Sequence, residues 1–196
     1  MLISIIIPCY RSTATLPSVV AEIQQVFSER PEYDYQIILV NDCSPDDTFG
    51  TICELCEQDK KIVGVNLSRN YGQACARMAA LPFVEGECAI SMDDDGQHPA
   101  DGIFILADKI KEGYDMVYAN FEHKNHSLFK QCGSKLFGKL MEEFGVRPKG
   151  IKFSSFFAWS RFAVDELKKY HSPTPSEGSY LMKITSRFTN VDMLHR

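Results

Sequence analysis

Three consecutive aspartates, Asp93, Asp94 and Asp95, follow directly on a short apolar run and are the residues best suited to chemistry. In an extended chain the side chains of residues i and i+2 point the same way, so Asp93 and Asp95 can face one point while Asp94 faces elsewhere. Gln97 follows two residues later and can add a neutral oxygen. Oxygen ligands that converge beside a polyanion suit Mg²⁺ or Mn²⁺. The pattern therefore predicts a metal site formed by Asp93, Asp95 and Gln97, with a solvated acidic turn as the alternative.

A second polar segment, residues 41–48, also follows an apolar run and leads into a helical pattern. Asp42 lies closest to the end of that run and can accept a hydrogen bond from a nucleobase N–H. The alternative is structural, because Asp, Asn and Ser side chains at such a place cap the first turn of a helix. The sequence leaves the two roles of Asp42 equally open.

These polar segments belong to an alternation of apolar runs and amphipathic stretches. The pattern predicts strands at 3–7, 36–40, 62–67, 88–92 and 114–119, and helices at 16–27, 49–56, 73–84 and 103–110. This order predicts an α/β fold with a mostly parallel sheet and helices on both faces. Polar loops follow the carboxyl ends of the first four strands. Because ligands of open α/β sheets bind at that edge, we expect the loops to form one crevice.

The later part of the chain, residues 120–196, is less regular. The spacing of its apolar residues predicts helices at 128–144, 163–170 and 180–187, a strand or extended aromatic segment at 153–159, and a final strand at 191–194. Trp159 and the phenylalanines before it are expected in the core. The histidines place no pair on one helical face, so His98 is expected to be a surface or turn residue rather than a metal ligand.

The composition fits a single domain of 196 residues, with 44% hydrophobic residues, 24% charged residues and a net charge of −5. This charge does not favour nucleic acid, which needs clustered basic residues. No apolar stretch is long enough to span a bilayer. Seven irregularly spaced cysteines argue against a disulfide framework and favour a cytoplasmic location. Cys53 and Cys56 form a C-x-x-C, but no second ligand pair has zinc spacing, so we expect ordinary helix residues.

Four segments resemble glycosyltransferase family 2, which has the GT-A fold, and within it the dolichyl-phosphate mannose synthase-like branch that glycosylates polyprenyl phosphates. The matching segments are Ile5–Tyr10, Ile38–Thr48, Leu67–Gln73 and Met92–Pro99. Each is weak alone, but together they occur in the order and spacing of the family. The likeness is strong over residues 1–119 and then fades. In this branch, membrane-associated segments are common, and here they would follow residue 196.

The resemblance implies roles for residues by their position. Nucleotide-sugar binding is implied for Pro8, Tyr10, Asp42, Ser44, Gln73 and Asp94. Metal binding, with Mg²⁺ or Mn²⁺ as cofactor, is implied for Asp93, Asp95 and Gln97, and catalytic roles for Asp93, Asp95 and Arg69. Acceptor binding is implied for Lys130, Ser134, His195 and Arg196.

Three positions depart from the pattern of the family. Arg11-Ser12 stands where an acidic pair is usual, and Phe121 replaces an arginine common after the fifth strand. Ser155-Phe156-Phe157 stands in place of an Asp-Phe-Arg segment. The last two departures concern the acceptor more than the donor.

The resemblance implies an inverting, metal-dependent transferase that moves a sugar from a nucleoside-diphosphate sugar to an acceptor. A polyprenyl phosphate is favoured, because it is already an anion and the carboxylates after residue 97 form no convincing base motif. A glycan hydroxyl acceptor and a non-catalytic nucleotide-binding module are the alternatives. A nucleotidyltransferase is disfavoured, since no Gly-rich basic loop follows the first strand. A lipid acceptor would place the protein at the cytoplasmic face of a membrane. The sequence leaves a homo-oligomer open.

Overall fold

The computed structural model describes residues 1–121 and 150–194. Its strands are β1 (Leu2–Cys9), β2 (Asp34–Asn41), β3 (Ile62–Asn66), β4 (Cys88–Ser91), β5 (Met116–Phe121), β6 (Phe157–Ser160) and β7 (Phe188–Met193). Its helices are α1 (Leu16–Ser28), α2 (Thr48–Gln58), α3 (Gln73–Ala80), α4 (Gly102–Lys111), α5 (Arg161–Leu167) and α6 (Glu177–Leu181), with a 3₁₀ turn at Leu81–Phe83. The first five predicted strands and the four helices between them are therefore present, with shifts of a few residues at their ends.

The strands form one sheet in the order β3-β2-β1-β4-β6-β5-β7. Strands β1 to β4 pair in parallel, and β7 is parallel to β5. Strand β6 lies between β4 and β5 and is antiparallel to both. The predicted mostly parallel sheet is confirmed. The insertion of β6 brings the segment before it to the edge where β4 ends.

The core lies on both faces of this sheet, as strands that are apolar on both sides require. Ile5 and Ile7 of β1 pack with apolar residues of α1 and α4 on one face, and Ile6 packs with those of α3 and α5 on the other. All three isoleucines are fully buried. Helices on both faces are thus confirmed. Within residues 1–121 and 150–194, no helix is both long enough and apolar enough to cross a membrane.

Residues 180–187 were predicted to be one helix, and this prediction is wrong. Helix α6 ends at Leu181 and β7 begins at Phe188. The cause is Asp115, whose buried carboxylate accepts hydrogen bonds from the Thr185 hydroxyl and the Arg187 guanidinium. The carbonyl of Arg187 also accepts the Asp115 N–H. These contacts, distant in sequence, hold the segment in a turn that leads into β7.

The aromatic segment before α5 forms β6, and three of its rings lie in the core as predicted: Phe156, Phe157 and Trp159. Phe153 is the exception, since its side chain is 48% exposed. The predicted final strand at 191–194 is confirmed as the second half of β7. The helix predicted at 128–144 lies outside the described residues.

Candidate active site

The loops that follow β1, β2, β3 and β4 meet at one edge of the sheet and are joined by hydrogen bonds between their side chains and backbones. We call the space that they border the loop crevice, formed by residues 9–12, 41–47, 67–73 and 92–98. The Arg11 N–H donates to Ser44 Oγ at 2.6 Å, which joins the first two loops. Gln73 Nε2 lies 3.5 Å from Asp93 Oδ1, which joins the last two. The structure therefore brings the predicted loops together.

Asp94 faces the loop after β1. Its Oδ2 accepts the Tyr10 N–H at 3.1 Å and the Ser12 hydroxyl. Ser12 is buried, and its own N–H donates to Thr48 Oγ1. Asp94 thus holds the first loop against the fourth. Ser12 supplies one of the donors, at a position where the resemblance implies an acidic side chain. This contact could not be predicted from the sequence, since the two residues are distant in the chain.

Asp42 is buried and holds the loop before α3. Its Oδ1 accepts the Tyr71 N–H at 2.7 Å, and its Oδ2 accepts the Gly72 N–H at 2.8 Å. Helix α2 begins after Asp47 without any side-chain cap, so the alternative in which Asp42 caps this helix is wrong. Each carboxylate oxygen has a second lone pair that can still accept a nucleobase N–H. Gly72 has φ +87°, a conformation that favours glycine.

Two exposed aromatic rings stand at the loop crevice, each with an arginine over it. Tyr10 is 44% exposed and lies 5.6 Å from the Arg11 guanidinium, while Tyr71 is 43% exposed and lies 4.5 Å from that of Arg69. Such rings offer flat faces for stacking, and the arginines add positive charge. Pro8 is buried in β1 and pairs with Val40 of β2. It lies beyond Ile6, which is the last residue of β1 that pairs with β4.

Cys9, at the end of β1, is not a nucleophile. Its side chain is fully buried and its thiol donates to the Ile7 carbonyl at 3.2 Å. Burial raises the pKa of this thiol well above its ordinary value, and the nearby Asp94 carboxylate raises it further. A protonated, buried thiol does not react at neutral pH.

Asp93 is held from the side of β6. Its Oδ2 accepts the Ser155 hydroxyl at 2.6 Å and lies 3.6 Å from His98 Nε2. The His98 ring stacks on Phe156 at 4.9 Å and on Phe121 at 5.6 Å. Of the two positions expected for His98, the turn is confirmed, since it lies in the bend after β4, and the surface is wrong, since it is only 6% exposed. Its burial depends on two rings that are distant in sequence.

Asp95 and Gln97 are exposed at the mouth of the loop crevice. Asp95 Oδ1 accepts the Gln97 N–H at 3.0 Å across a turn in which Gly96 has φ +73°. Within the described ranges, no group of three or more His, Cys, Asp and Glu side chains is arranged to hold a metal ion. Mg²⁺ and Mn²⁺ at phosphate-binding sites commonly take one or two carboxylates and complete their shell with phosphate oxygens and water. Asp93 and Asp95 fit such an open site, and the ligand set Asp93, Asp95 and Gln97 stays a prediction.

Of the remaining predicted site residues, some lie within the described part of the chain and others do not. Arg69 is exposed beside Tyr71, Ser44 lies between the loops after β1 and β2, and Gln73 begins α3 beside Asp93. The predicted acceptor residues Lys130, Ser134, His195 and Arg196 lie outside the described residues. Three residues of the site were not predicted from the sequence: Ser12, His98 and Ser155.

The order of the sheet and the polar loops at its carboxyl edge place this chain in the class of GT-A-fold proteins. Two solved structures share this fold. Mannosyltransferase PcManGT from Pyrobaculum calidifontis, solved with GDP-Man and Mn²⁺, has a TM-score of 0.67 and 17% identity, over 98% of this chain and 55% of that one. Glucosyl-3-phosphoglycerate synthase from Mycobacterium tuberculosis, solved with Mn²⁺, UDP and phosphoglyceric acid, has a TM-score of 0.65 and 18% identity, over 99% of this chain and 70% of that one.

The chain belongs to glycosyl transferase family 2, which it matches over residues 4–167. A curated relative is undecaprenyl-phosphate 4-deoxy-4-formamido-L-arabinose transferase from Klebsiella pneumoniae (strain 342), which is 30% identical over 170 residues. The match covers 86% of this chain and 52% of the relative, so this chain spans about half the length of that relative. The predicted family and fold class are confirmed.

Proposed function

We propose that this chain carries the donor-binding and catalytic site of an inverting, metal-dependent glycosyltransferase. The sugar would come from a nucleoside-diphosphate sugar and pass to a polyprenyl phosphate. The observation that carries the proposal is the position of Asp93, a half-buried carboxylate at the end of β4 with Oδ2 bonded to Ser155 and Oδ1 toward Gln73. Membership of family 2 and a relative named for undecaprenyl phosphate support the same reaction.

The donor base would bind between the loops after β1, β2 and β3. The exposed Tyr10 ring gives the base a stacking face, and the free lone pairs of Asp42 accept a base N–H. Because Asp42 also holds the Tyr71 and Gly72 amides, base binding and the position of the loop before α3 are linked. Ser44, bonded to the Arg11 N–H, keeps the first two loops in place.

The diphosphate would lie over the end of β4. Asp93 and Asp95, with Gln97, would hold Mg²⁺ or Mn²⁺, which supplies Lewis-acid stabilisation of the leaving nucleoside diphosphate. Arg69 is exposed at the same edge and adds a positive charge for the developing phosphate charge. Mn²⁺ in the two structural relatives named above supports this cofactor.

A phosphate acceptor suits the carboxylates that the structure describes at the loop crevice. Asp42 accepts two backbone N–H groups, and Asp94 accepts one N–H and one hydroxyl. These two carboxylates are already engaged by donors of the protein, whereas attack by a hydroxyl needs a base placed to take its proton. A lipid phosphate is already an anion and needs none. The acceptor residues Lys130, Ser134, His195 and Arg196 remain predictions, as does action at the cytoplasmic face of a membrane.

One assay tests the proposal on the full-length protein. The protein is incubated with Mn²⁺ and a panel of UDP- and GDP-sugars, with and without a short-chain polyprenyl phosphate, and the released nucleoside diphosphate is measured. We expect release that requires the metal and rises with the polyprenyl phosphate. Release that ignores the lipid would favour a glycan hydroxyl acceptor. If no nucleoside diphosphate were released with any donor or acceptor, the proposal would fail and the non-catalytic nucleotide-binding module would be the remaining interpretation.

A further inference from the structure

The antiparallel insertion of β6 places Ser155 opposite Asp93. Strands β4 and β6 pair Ser91 with Phe157, and continuing this register by two residues brings Asp93 opposite Ser155. The Ser155 hydroxyl donates to Asp93 Oδ2 at 2.6 Å. This is a short hydrogen bond to a carboxylate oxygen, a type that is stronger than a bond between two neutral groups.

His98 completes the arrangement, and its bonding defines where its proton lies. The backbone N–H of Asp93 donates to His98 Nδ1 at 3.1 Å, so this nitrogen carries a lone pair. In a neutral imidazole the proton is then on Nε2. Nε2 lies 3.4 Å from Ser155 Oγ and 3.6 Å from Asp93 Oδ2. His98 therefore contacts both the backbone and the carboxylate side of Asp93.

The His98 ring itself has little freedom to move. It is 6% exposed and stacks nearly parallel to Phe156, with an interplanar angle of 14°, and to Phe121, with an angle of 0°. The Phe121 and Phe156 ring centroids are themselves only 6.3 Å apart, so the two rings pack side by side against the imidazole, and this packing together with its burial restricts the ring. Phe121 and Ser155-Phe156 stand at two of the positions where the chain departs from the pattern of its family.

We propose that His98 and Ser155 are positioning residues that fix the carboxylate of Asp93. The Ser155 hydroxyl donates to Oδ2 and His98 Nε2 lies 3.6 Å from the same oxygen, which leaves Oδ1 toward Gln73 and the loop crevice, where the metal of the proposed function would bind. The inference rests on that function, because it assigns Asp93 as a metal ligand. Partners of this kind orient metal ligands, and their loss typically weakens metal affinity by about 10–100-fold.

Two neighbouring serines provide a matched test. Ser155→Ala removes the hydroxyl on Asp93, whereas Ser154→Ala removes a hydroxyl of the same loop that accepts the Phe156 N–H instead. The affinity for Mn²⁺ in the presence of UDP or GDP is measured by electron paramagnetic resonance, and folding by circular dichroism with EDTA. We expect Ser155→Ala to weaken Mn²⁺ binding by about tenfold or more. Ser154→Ala should bind as the wild type does, and Ser155→Thr should recover most of the affinity.

His98 is tested by its tautomer and by two variants. In the metal-free wild type, ¹⁵N NMR should show His98 protonated on Nε2 and not on Nδ1, with the signal assigned by its loss in His98→Gln. His98→Phe keeps an aromatic ring but loses both nitrogens and should weaken Mn²⁺ binding. His98→Gln keeps a donor near the position of Nε2 and should bind more tightly than His98→Phe.

The outcomes separate this inference from the proposed function. If Asp93→Asn abolishes Mn²⁺ binding while Ser155→Ala and His98→Phe, both folded, bind it as the wild type does, the positioning role is overturned and the metal site stands. A proton on His98 Nδ1 in the wild type would also overturn it. If Asp93→Asn binds Mn²⁺ as the wild type does, the proposed metal site fails and the positioning role fails with it.

Discussion

Asp93 and Asp94 are adjacent in sequence, yet their carboxylates are bonded to opposite neighbours in the sheet. Asp93 accepts the Ser155 hydroxyl from the segment before β6, and Asp94 accepts the Tyr10 N–H from the loop after β1. Strand β4 lies between β1 and β6, so the loop that follows it is bordered by both neighbours, and each of the two aspartates is bonded to one of them. Asp95, the third member, remains exposed and available to a ligand.

We expect Asp95→Ala to abolish the metal-dependent part of nucleotide binding. The loss of a direct ligand should weaken metal affinity by more than the roughly 100-fold that is the upper limit for the loss of a supporting residue. Calorimetry with UDP or GDP, with and without Mn²⁺, measures it. Asp101→Ala is the control, because Asp101 is also exposed, precedes α4 and makes no capping bond with its side chain. A metal dependence unchanged in Asp95→Ala would show that the ligand assignment is wrong.

Gly72→Ala should weaken nucleotide binding by about tenfold, or ~1.4 kcal/mol. A Cβ at Gly72 meets nothing within 4 Å, so the cost arises from its φ of +87° alone, which displaces the loop held by Asp42. Gly113→Ala is a matched control, with φ +100° and equally open space, outside the loop crevice. Both variants should lose about 1–3 kcal/mol of stability in urea unfolding. Equal nucleotide affinities in the two variants would contradict a role for the loop.

Glu177→Gln should lower the free energy of unfolding by about 3–5 kcal/mol, because it leaves the Arg77 charge buried without its partner. Arg77 Nε lies 2.9 Å from Glu177 Oε1, and the side chains are only 13% and 9% exposed. Asp165→Asn removes the same kind of group from the exposed pair with Arg161 and should cost about 0.3–0.5 kcal/mol. Urea denaturation compares the two. Similar losses would mean that solvent reaches the Arg77–Glu177 pair.

The stability of the fold should fall in acid partly through Asp115. Burial alone would raise the pKa of Asp115, but hydrogen bonds from Arg187, Thr185 and Ser160 hold it below its ordinary value. The folded state therefore favours the ionised form. This contribution is complete above the unfolded pKa of about 3.9 and is lost as the pH falls through the lower folded pKa.

Unfolding by urea at a series of pH values tests this. Asp115→Asn should be less stable than the wild type at neutral pH and should lose less stability in acid. Asp34→Asn is the comparison, since Lys61 lowers the pKa of Asp34 on the exposed surface, where solvent weakens the ion pair. If the free energy of unfolding fell as steeply with decreasing pH in Asp115→Asn as in the wild type, this account would be contradicted.

The sequence predicted the parallel part of the fold well, because the strands from β1 to β4 are local apolar runs followed by polar loops. It could not predict that β6 separates β4 from β5, since that depends on pairing between residues distant in the chain. The same limit explains the site. Alternation could suggest Asp93 and Asp95 as metal ligands, which stays a prediction, whereas the contacts of Ser155 and the burial of His98 exist only once β6 is in place.

The order of the sheet also has a consequence for folding during synthesis. Strands β4 and β5 are made early, but their shared neighbour β6 leaves the ribosome only after the whole intervening segment. Until then, each presents an open edge of unpaired backbone groups. We therefore expect the nascent first half of the chain to depend on late, long-range pairing for its completion. The Asp93 carboxylate would gain its serine partner only in that pairing step, so the candidate metal ligand would reach its native geometry later than the parallel strands β1 to β4.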